Sequence, residues 1–154
     1  MLWATILSWR ILSMTKSVNV LVMDDADVIR KLVVAILTEI PQINEIIQAK
    51  DAGSAVKLMT EHQPQIAILD VKVPGNGEVK NGIDVLKWTK KFYPNTAVIM
   101  LTNHANERYR EECKRAGANF FFDKSSEFDQ LTGALDTLMA DMVEDKLQTV
   151  DRSR

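Results

Sequence analysis

Ile66-Ala67-Ile68-Leu69-Asp70 is the stretch of sequence that decides the fold. Four apolar residues followed directly by a carboxylate are typical of a short buried strand with an acidic residue at its carboxyl end. In open α/β sheets, ligands bind at the carboxyl ends of the parallel strands. The stretch therefore predicts a central strand that places Asp70 at the functional edge of a sheet.

Three other apolar runs also end in polar residues. They are Ser17–Met23 before Asp24 and Asp25, Thr96–Leu101 before Thr102, and Ala118–Phe122 before Asp123 and Lys124. Parallel strands of one sheet present their carboxyl ends along a single edge. We therefore expect three acids, a hydroxyl and an ammonium group to meet in one crevice, although they lie far apart in sequence.

Helical patterns alternate with these runs, and one more strand is predicted at Glu45–Ala49. The first helix is expected to follow Asp27 and to face the core through Val28, Leu32, Val33, Ile36, Leu37 and Ile40. The next three are expected at Ser54–Glu61, around Val85, Leu86, Thr89 and Phe92, and at Asn106–Arg115, with Gly117 as a C-terminal cap. The fifth is expected to start at a capping box, Ser126–Asp129, and to pack through Phe128, Leu131, Leu135, Leu138 and Met142. Five strands alternating with five helices predict a doubly wound parallel sheet with helices on both faces.

Length and composition limit the function classes. A chain of 154 residues has the size of one ordinary domain. Its formal net charge of −2, with acids and bases interspersed, argues against a nucleic-acid partner, because such binders usually carry a basic patch. The single Cys113 cannot form an internal disulfide and is predicted to be a small buried apolar group. A reducing cytoplasm fits this composition.

The first 13 residues form an apolar stretch in which Arg10 lies inside the run. The stretch is too short to span a bilayer and lacks the leading charge of a signal peptide, so no membrane insertion is expected. Two interpretations stay open: a surface helix that docks on the domain or on a partner, or a translation start placed too early, with Met14 as the natural start. We expect an N-terminal extension over 1–14, one domain over 15–143 and a frayed polar tail over 144–154.

The predicted crevice suits phosphoryl transfer. Three carboxylates in one place repel each other unless a divalent cation lies among them, and Mg²⁺ prefers oxygen ligands. Asp70 could act as the nucleophile toward a phosphoryl group. Lys124, as a point charge, and Thr102, as a hydrogen-bond donor, would then contact the phosphoryl oxygens.

These motifs resemble the receiver domains of two-component response regulators over about Ser17–Ala140. The matching motifs are Val20-Leu-Val-Met-Asp-Asp25, Ile66-Ala-Ile-Leu-Asp70, Ile99-Met-Leu-Thr102 and Phe121-Phe-Asp-Lys124. The resemblance implies a flavodoxin-like strand order, 2-1-3-4-5, and a signalling domain that at most phosphorylates and dephosphorylates itself. Its phosphoryl donor would be a sensor histidine kinase or a histidine phosphotransfer protein. Because only a polar tail follows the fifth helix, the chain resembles the stand-alone receivers of chemotaxis and phosphorelays.

The resemblance also implies roles for individual residues. Asp70 would be the phospho-acceptor, Asp25 a direct Mg²⁺ ligand, Asp24 an acid that acts on the metal largely through water, and the Lys72 backbone carbonyl would complete the metal shell. Thr102 and Phe121 would form the switch pair, which changes the surface of the fourth helix, fifth strand and fifth helix for a downstream protein. The side chains of Lys72 and His104 would border the path of the hydrolytic water and tune the lifetime of the phosphoryl group.

Two departures and two alternatives accompany this interpretation. Ser125 follows Lys124 where the family usually has a proline joined by a cis bond, and a cis bond before a non-proline residue costs about 2.5–4 kcal/mol. The loop Pro74–Gly82 is a few residues longer than is usual in the family.

A haloacid-dehalogenase-type phosphatase would use Asp25-Ala-Asp27-Val28 as its nucleophile motif but would leave Asp70 without a role. A pseudo-receiver would bind partners without phosphorylation.

Overall fold

The computed structural model describes residues 18–153, and within them it forms one five-stranded sheet with helices on both faces. The strands are β1 (Val18–Met23), β2 (Ile43–Ala49), β3 (Ile66–Leu69), β4 (Ala97–Thr102) and β5 (Phe120–Asp123). The helices are α1 (Asp27–Thr38), α2 (Ala52–His62), α3 (Gly82–Phe92), α4 (Glu107–Arg115) and α5 (Leu131–Arg152), the last preceded by a 3₁₀ turn at Phe128–Gln130. All strands are parallel in the order β2-β1-β3-β4-β5, which confirms the predicted fold class.

The strand register aligns the carboxyl ends of the strands. Met23 pairs with Leu69, Leu69 pairs with Met100, and Thr102 pairs with Asp123. The ladder continues one residue beyond β3, because the Asp70 amide donates to the Met23 carbonyl at 3.0 Å. A register shift of one residue would turn every side chain to the other face of its strand. The register therefore fixes which polar residues emerge at the edge.

Two hydrophobic cores fill the space between the sheet and its helices. On one face, α1 and α5 cover alternate strand residues such as Val20, Ile68 and Ile99. On the other face, α2, α3 and α4 cover Leu21, Leu69 and other residues of the opposite parity. Cys113 is fully buried in this second core, as predicted, and burial raises the pKa of its thiol to about 11. Both faces of the sheet are therefore buried, as expected of a parallel sheet with helices on both sides.

Helix α1 is rotated relative to the prediction. Its buried residues are Arg30, Val33 and Leu37, whereas Val28 is 79% exposed and Leu32 is 47% exposed. The expectation that these two face the core was wrong. Arg30 takes the inward position because its guanidinium bonds to neighbouring polar groups, and this turns Val28 and Leu32 toward solvent.

Three further expectations differ from the structure. Phe92 is 55% exposed, and its ring packs on Trp88 of the same helix at 5.3 Å instead of entering the core. The capping box at Ser126–Asp129 does not form, because a 3₁₀ turn occupies Phe128–Gln130 and α5 begins at Leu131 without a side-chain cap. The segment expected to be a frayed tail is helical as far as Arg152.

The remaining expectations concern a helix cap, one peptide bond, membrane insertion and the N-terminal residues. Gly117 has a φ of 97° after α4, as predicted for a C-terminal cap. The described residues contain no cis peptide bond, so the bond between Lys124 and Ser125 is trans. No helix within 18–153 is long and apolar enough to cross a membrane. The interpretations of residues 1–14 lie outside the described residues.

Candidate functional site

Three carboxylates meet at the carboxyl edge of the sheet. One oxygen from each of Asp24, Asp25 and Asp70 lies within 4.8 Å of the others. Asp24 is 3% exposed and Asp70 is 7% exposed, whereas Asp25 faces solvent. Asp24 and Asp25 follow β1, and Asp70 follows the neighbouring β3, so the strand order brings the three acids together.

Lys124, which follows β5, forms ion pairs with both buried carboxylates, Asp24 and Asp70. Its Nζ donates to Asp70 Oδ2 at 3.0 Å and also to Asp24 Oδ2. The side chain is 4% exposed, so both ion pairs are shielded from water. Lys124 reaches this position because its backbone amide continues the β4–β5 ladder by donating to the Thr102 carbonyl at 3.0 Å.

The second oxygen of Asp70 has no hydrogen-bond partner among residues 18–153. Asp70 Oδ1 is buried and accepts no hydrogen bond from the described residues. A buried acceptor without a partner typically costs about 1–3 kcal/mol, so such an atom calls for an explanation. An oxygen-rich set with one free buried oxygen and one exposed carboxylate matches the ligand preference of Mg²⁺. The residues present therefore fit a divalent cation.

Thr102 and His104 lie beside these acids at the end of β4. Thr102 is fully buried, and its Oγ1 accepts a hydrogen bond from the His104 amide at 3.1 Å. The Thr102 hydroxyl remains able to donate. The predicted acids, hydroxyl and ammonium group therefore all lie at the same edge of the sheet.

The family of response regulator receiver domains matches residues 20–136, which is most of the chain and includes every one of these site residues. The chain belongs to this family. Receiver domains act in two-component phosphorelay systems, where they accept phosphoryl groups. The match agrees with the resemblance inferred from the motifs.

Individual relatives agree with this assignment. Sporulation initiation phosphotransferase F of Bacillus subtilis is 28% identical over 76% of this chain and 90% of its own length. Fimbriae Z protein of Salmonella typhimurium is 23% identical over 81% of this chain and 58% of its own. The chain spans about half the length of the first curated relatives that it matches, which are 48–58% covered.

Solved structures match as well. The response regulator domain of Thermotoga maritima CheB has a TM-score of 0.68 and 30% identity, with 80% of this chain and 94% of that chain covered. The receiver domain of NtrX from Brucella abortus has a TM-score of 0.68 and 30% identity, with coverages of 79% and 98%.

In this receiver domain, Arg110 contacts both the ring and the backbone carbonyl of Phe121. Phe121 is 9% exposed, and the Arg110 guanidinium carbon lies 4.8 Å from the centre of its ring. Arg110 also donates to the Phe121 carbonyl at 3.0 Å and to Glu127 Oε1 at 2.9 Å. The hydrogen bond from Arg110 holds the pKa of Glu127 below its usual range. Arg110 thus connects α4, β5 and the turn after Lys124.

Arg30 holds the acidic loop, Asp24–Asp27, in place through hydrogen bonds. Its guanidinium donates to the Asp24 carbonyl at 2.8 Å, to Gln48 Oε1 at 3.2 Å and to Asp27. The hydrogen bond from Arg30 and the nearby charge of Lys50 lower the pKa of Asp27. Sequence reasoning missed this role, although an arginine three residues after an acid in a mainly apolar helix was a visible signal.

Gly82 allows α3 to start against the backbone of Asp70. A Cβ at Gly82 would lie 1.7 Å from the Asp70 carbonyl oxygen, and the Gly82 amide donates to the Val71 carbonyl at 2.8 Å. The sequence placed Gly82 only at the end of a turning loop.

The side chains of Lys72 and His104 are exposed near the crevice, and neither makes a side-chain hydrogen bond or ion pair within the described residues.

Proposed function

We propose that this receiver domain accepts a phosphoryl group on Asp70 from the phosphohistidine of a sensor histidine kinase or histidine phosphotransfer protein. The observation that carries the proposal is the state of the Asp70 carboxylate. One oxygen is held by Lys124, and the other is buried at the strand end, where none of the described residues donates to it. A carboxylate fixed in this way presents one oxygen as a positioned nucleophile.

The transfer step follows from this arrangement. One oxygen of the Asp70 carboxylate attacks the phosphorus atom and forms a new O–P bond, while the N–P bond of the phosphohistidine breaks and the imidazole nitrogen keeps the electron pair. The other oxygen of the carboxylate stays available to the cation. The Lys124 ammonium and the Thr102 hydroxyl stabilise negative charge on the phosphoryl oxygens. The acyl phosphate later loses its phosphoryl group to water. The domain thus acts on its own aspartate, and apart from the phosphoryl donor and water it needs no substrate.

Asp24, Asp25 and Asp70 would hold Mg²⁺, with the Lys72 backbone carbonyl as a further ligand. The ion would supply positive charge that offsets the repulsion between these carboxylates and the incoming phosphoryl oxygens. Asp25 suits direct contact with a hydrated ion because it is exposed. Asp24 already accepts from the Ala26 amide at 2.9 Å and from Lys124, which suits a role through water.

Thr102 and Phe121 would couple the phosphoryl group to a partner surface. The Thr102 hydroxyl would turn toward the phosphoryl oxygens, and the buried ring of Phe121 would fill the space behind it. Arg110 ties that ring and its backbone to α4, so movement at Thr102 would reach the surface formed by α4, β5 and α5. A downstream protein would recognise this surface.

The exposed face of α1 would dock the phosphoryl donor. Val28 and Leu32 lie one turn apart on α1, close in sequence to Asp25, and expose apolar side chains that no described residue covers. We expect Val28→Ala with Leu32→Ala to slow transfer from the donor protein at least several-fold and to leave phosphorylation by acetyl phosphate unchanged. Equal slowing with both donors would exclude a docking role.

Intact mass measurement tests the function against its alternatives. The protein is incubated with acetyl phosphate and Mg²⁺, and adducts and free phosphate are followed over time. One phosphoryl adduct per chain supports the receiver. Many turnovers of phosphate release would support the haloacid-dehalogenase-type phosphatase, which is disfavoured because Asp27 is engaged by Arg30 and Lys50. The absence of any adduct would support a pseudo-receiver.

A further inference from the structure

A groove of about 600 Å³ lies at the edge of the sheet opposite the acidic crevice. Its floor includes Val18, at the start of β1, and Gln65, just before β3. Its wall is the middle part of α5, which contributes Met139, Met142 and Val143. The groove is therefore a mainly apolar surface that the phosphoryl-transfer site does not use.

The chain carries an apolar segment shortly before Val18, a residue that lines this groove. Val18 lines the groove and is preceded by 17 residues, of which Leu2–Leu12 contain Trp3, Trp9 and five Leu or Ile residues. Leu12 is six residues from Val18, so an extended link could place it no more than about 20 Å away. A segment tethered at this distance has a high effective concentration at the groove.

The charges of the segment and the side chains that line the groove also favour docking. The only charged side chains in residues 1–17 are Arg10 and Lys16, both cationic. The groove is rimmed by the exposed acids Asp136 and Asp145, and Lys146 also lines it. The flexible thioethers of Met139 and Met142 adapt to large side chains and make favourable contacts with aromatic rings. A tryptophan-rich apolar segment with one internal arginine is complementary to such a surface.

We propose that the segment Leu2–Leu12 of the same chain docks in this groove, with Arg10 facing the acidic rim. Docking would shield the segment's tryptophans and pack them against the middle part of α5. This selects the docked form among the interpretations of the N-terminal extension. Because the groove lies at the opposite edge of the sheet from Asp70, phosphorylation by acetyl phosphate would proceed without the segment.

Tryptophan fluorescence of the full chain tests the proposal. The three tryptophans are Trp3, Trp9 and Trp88, so Trp88→Phe leaves only the two in the segment as reporters. We expect blue-shifted emission and acrylamide quenching several-fold weaker than for free tryptophan, both unchanged on dilution. In this background, Val143→Glu in the groove should shift the emission to the red and restore quenching. Ala140→Glu, at an exposed position in the groove, should do the same without touching the core.

Val150→Glu is the matched control, since it makes the same change two turns along α5 and outside the groove. It should leave the emission unchanged. Fully exposed tryptophans in the Trp88→Phe protein would overturn the proposal. So would protection that is lost on dilution, which would indicate a second copy as the occupant, or protection that survives both groove variants. Protection that appears only after lipid vesicles are added would assign the segment to a membrane surface instead.

Discussion

At the scale of single residues, Lys72 and His104 are the side chains placed to set the lifetime of the phosphoryl group. They lie two residues beyond Asp70 and Thr102, and both side chains are exposed. A lysine across the water path would pair with the phosphoryl oxygens, and an imidazole could crowd or orient the water. A tenfold change in hydrolysis rate needs only about 1.4 kcal/mol in the barrier.

We therefore expect Lys72→Ala and His104→Ala each to change the phosphate lifetime several-fold, with Lys72→Ala shortening it. Release of phosphate from the phosphorylated protein, followed between about pH 6 and pH 8, measures the effect. Time courses that overlay the parent in both variants would show that neither side chain reaches the water path.

Gly82 presents a different kind of constraint at the same scale. An added methyl group would collide with the Asp70 carbonyl, and neither backbone can move without displacing the acceptor. We expect Gly82→Ala to lower the free energy of unfolding by about 3 kcal/mol and to slow phosphorylation. Gly133→Ala, in α5 with no atom near the added methyl group, is the control and should stabilise by up to about 1 kcal/mol. Urea unfolding of both variants measures this, and equal stabilities would refute the close approach.

At the scale of elements, the helix caps give a pH-dependent prediction. Asp51 caps α2 by accepting from the Ser54 amide at 2.7 Å, and hydrogen bonds from Ser54 lower the pKa of Asp51 below its ordinary value of 3.8. A lowered pKa in the folded state means that the carboxylate stabilises the fold above about pH 4 and that this stabilisation is lost as the pH falls through the folded-state pKa.

Asp51→Ala should therefore cost about 1 kcal/mol at neutral pH, and the cost should shrink between about pH 5 and pH 2. Asn106 caps α4 through a 2.9 Å bond from the Tyr109 amide, and its amide group does not titrate. Asn106→Ala should cost a similar amount at every pH. Urea unfolding across this range compares the two variants, and parallel pH profiles would contradict the titration of the Asp51 cap.

The elements also show where sequence patterns stop being sufficient. Short apolar runs ending in polar residues predicted four of the five strands, since burial on both faces requires continuous apolar sequence, whereas β2 at the sheet edge is only partly buried and was predicted separately. The orientation of α1 was not predictable from apolar spacing, because the bonds of Arg30 decide which face turns inward. The start of α5 was misplaced because local capping signals compete with a 3₁₀ turn that tertiary contacts select.

At the scale of the whole molecule, the strand order converts distant sequence positions into one site. Asp24, Asp70 and Lys124 were predicted to converge because strand ends of a parallel sheet share an edge, and the structure places them in contact. The residues that hold this site in place were not predicted from the sequence. Arg30, Gly82 and Arg110 act through backbone contacts made only after folding, and their residue types have many other uses.

Localising the phosphoryl group tests the central claim most directly. The protein is phosphorylated with acetyl phosphate and Mg²⁺, reduced with borohydride to convert an aspartyl phosphate to homoserine, digested, and sequenced by mass spectrometry. We predict homoserine at position 70 alone, and none in Asp70→Asn, which keeps the shape of the side chain without the nucleophile. Homoserine at position 24, 25 or 27, or an undiminished yield in Asp70→Asn, would contradict the assignment of Asp70 as the acceptor.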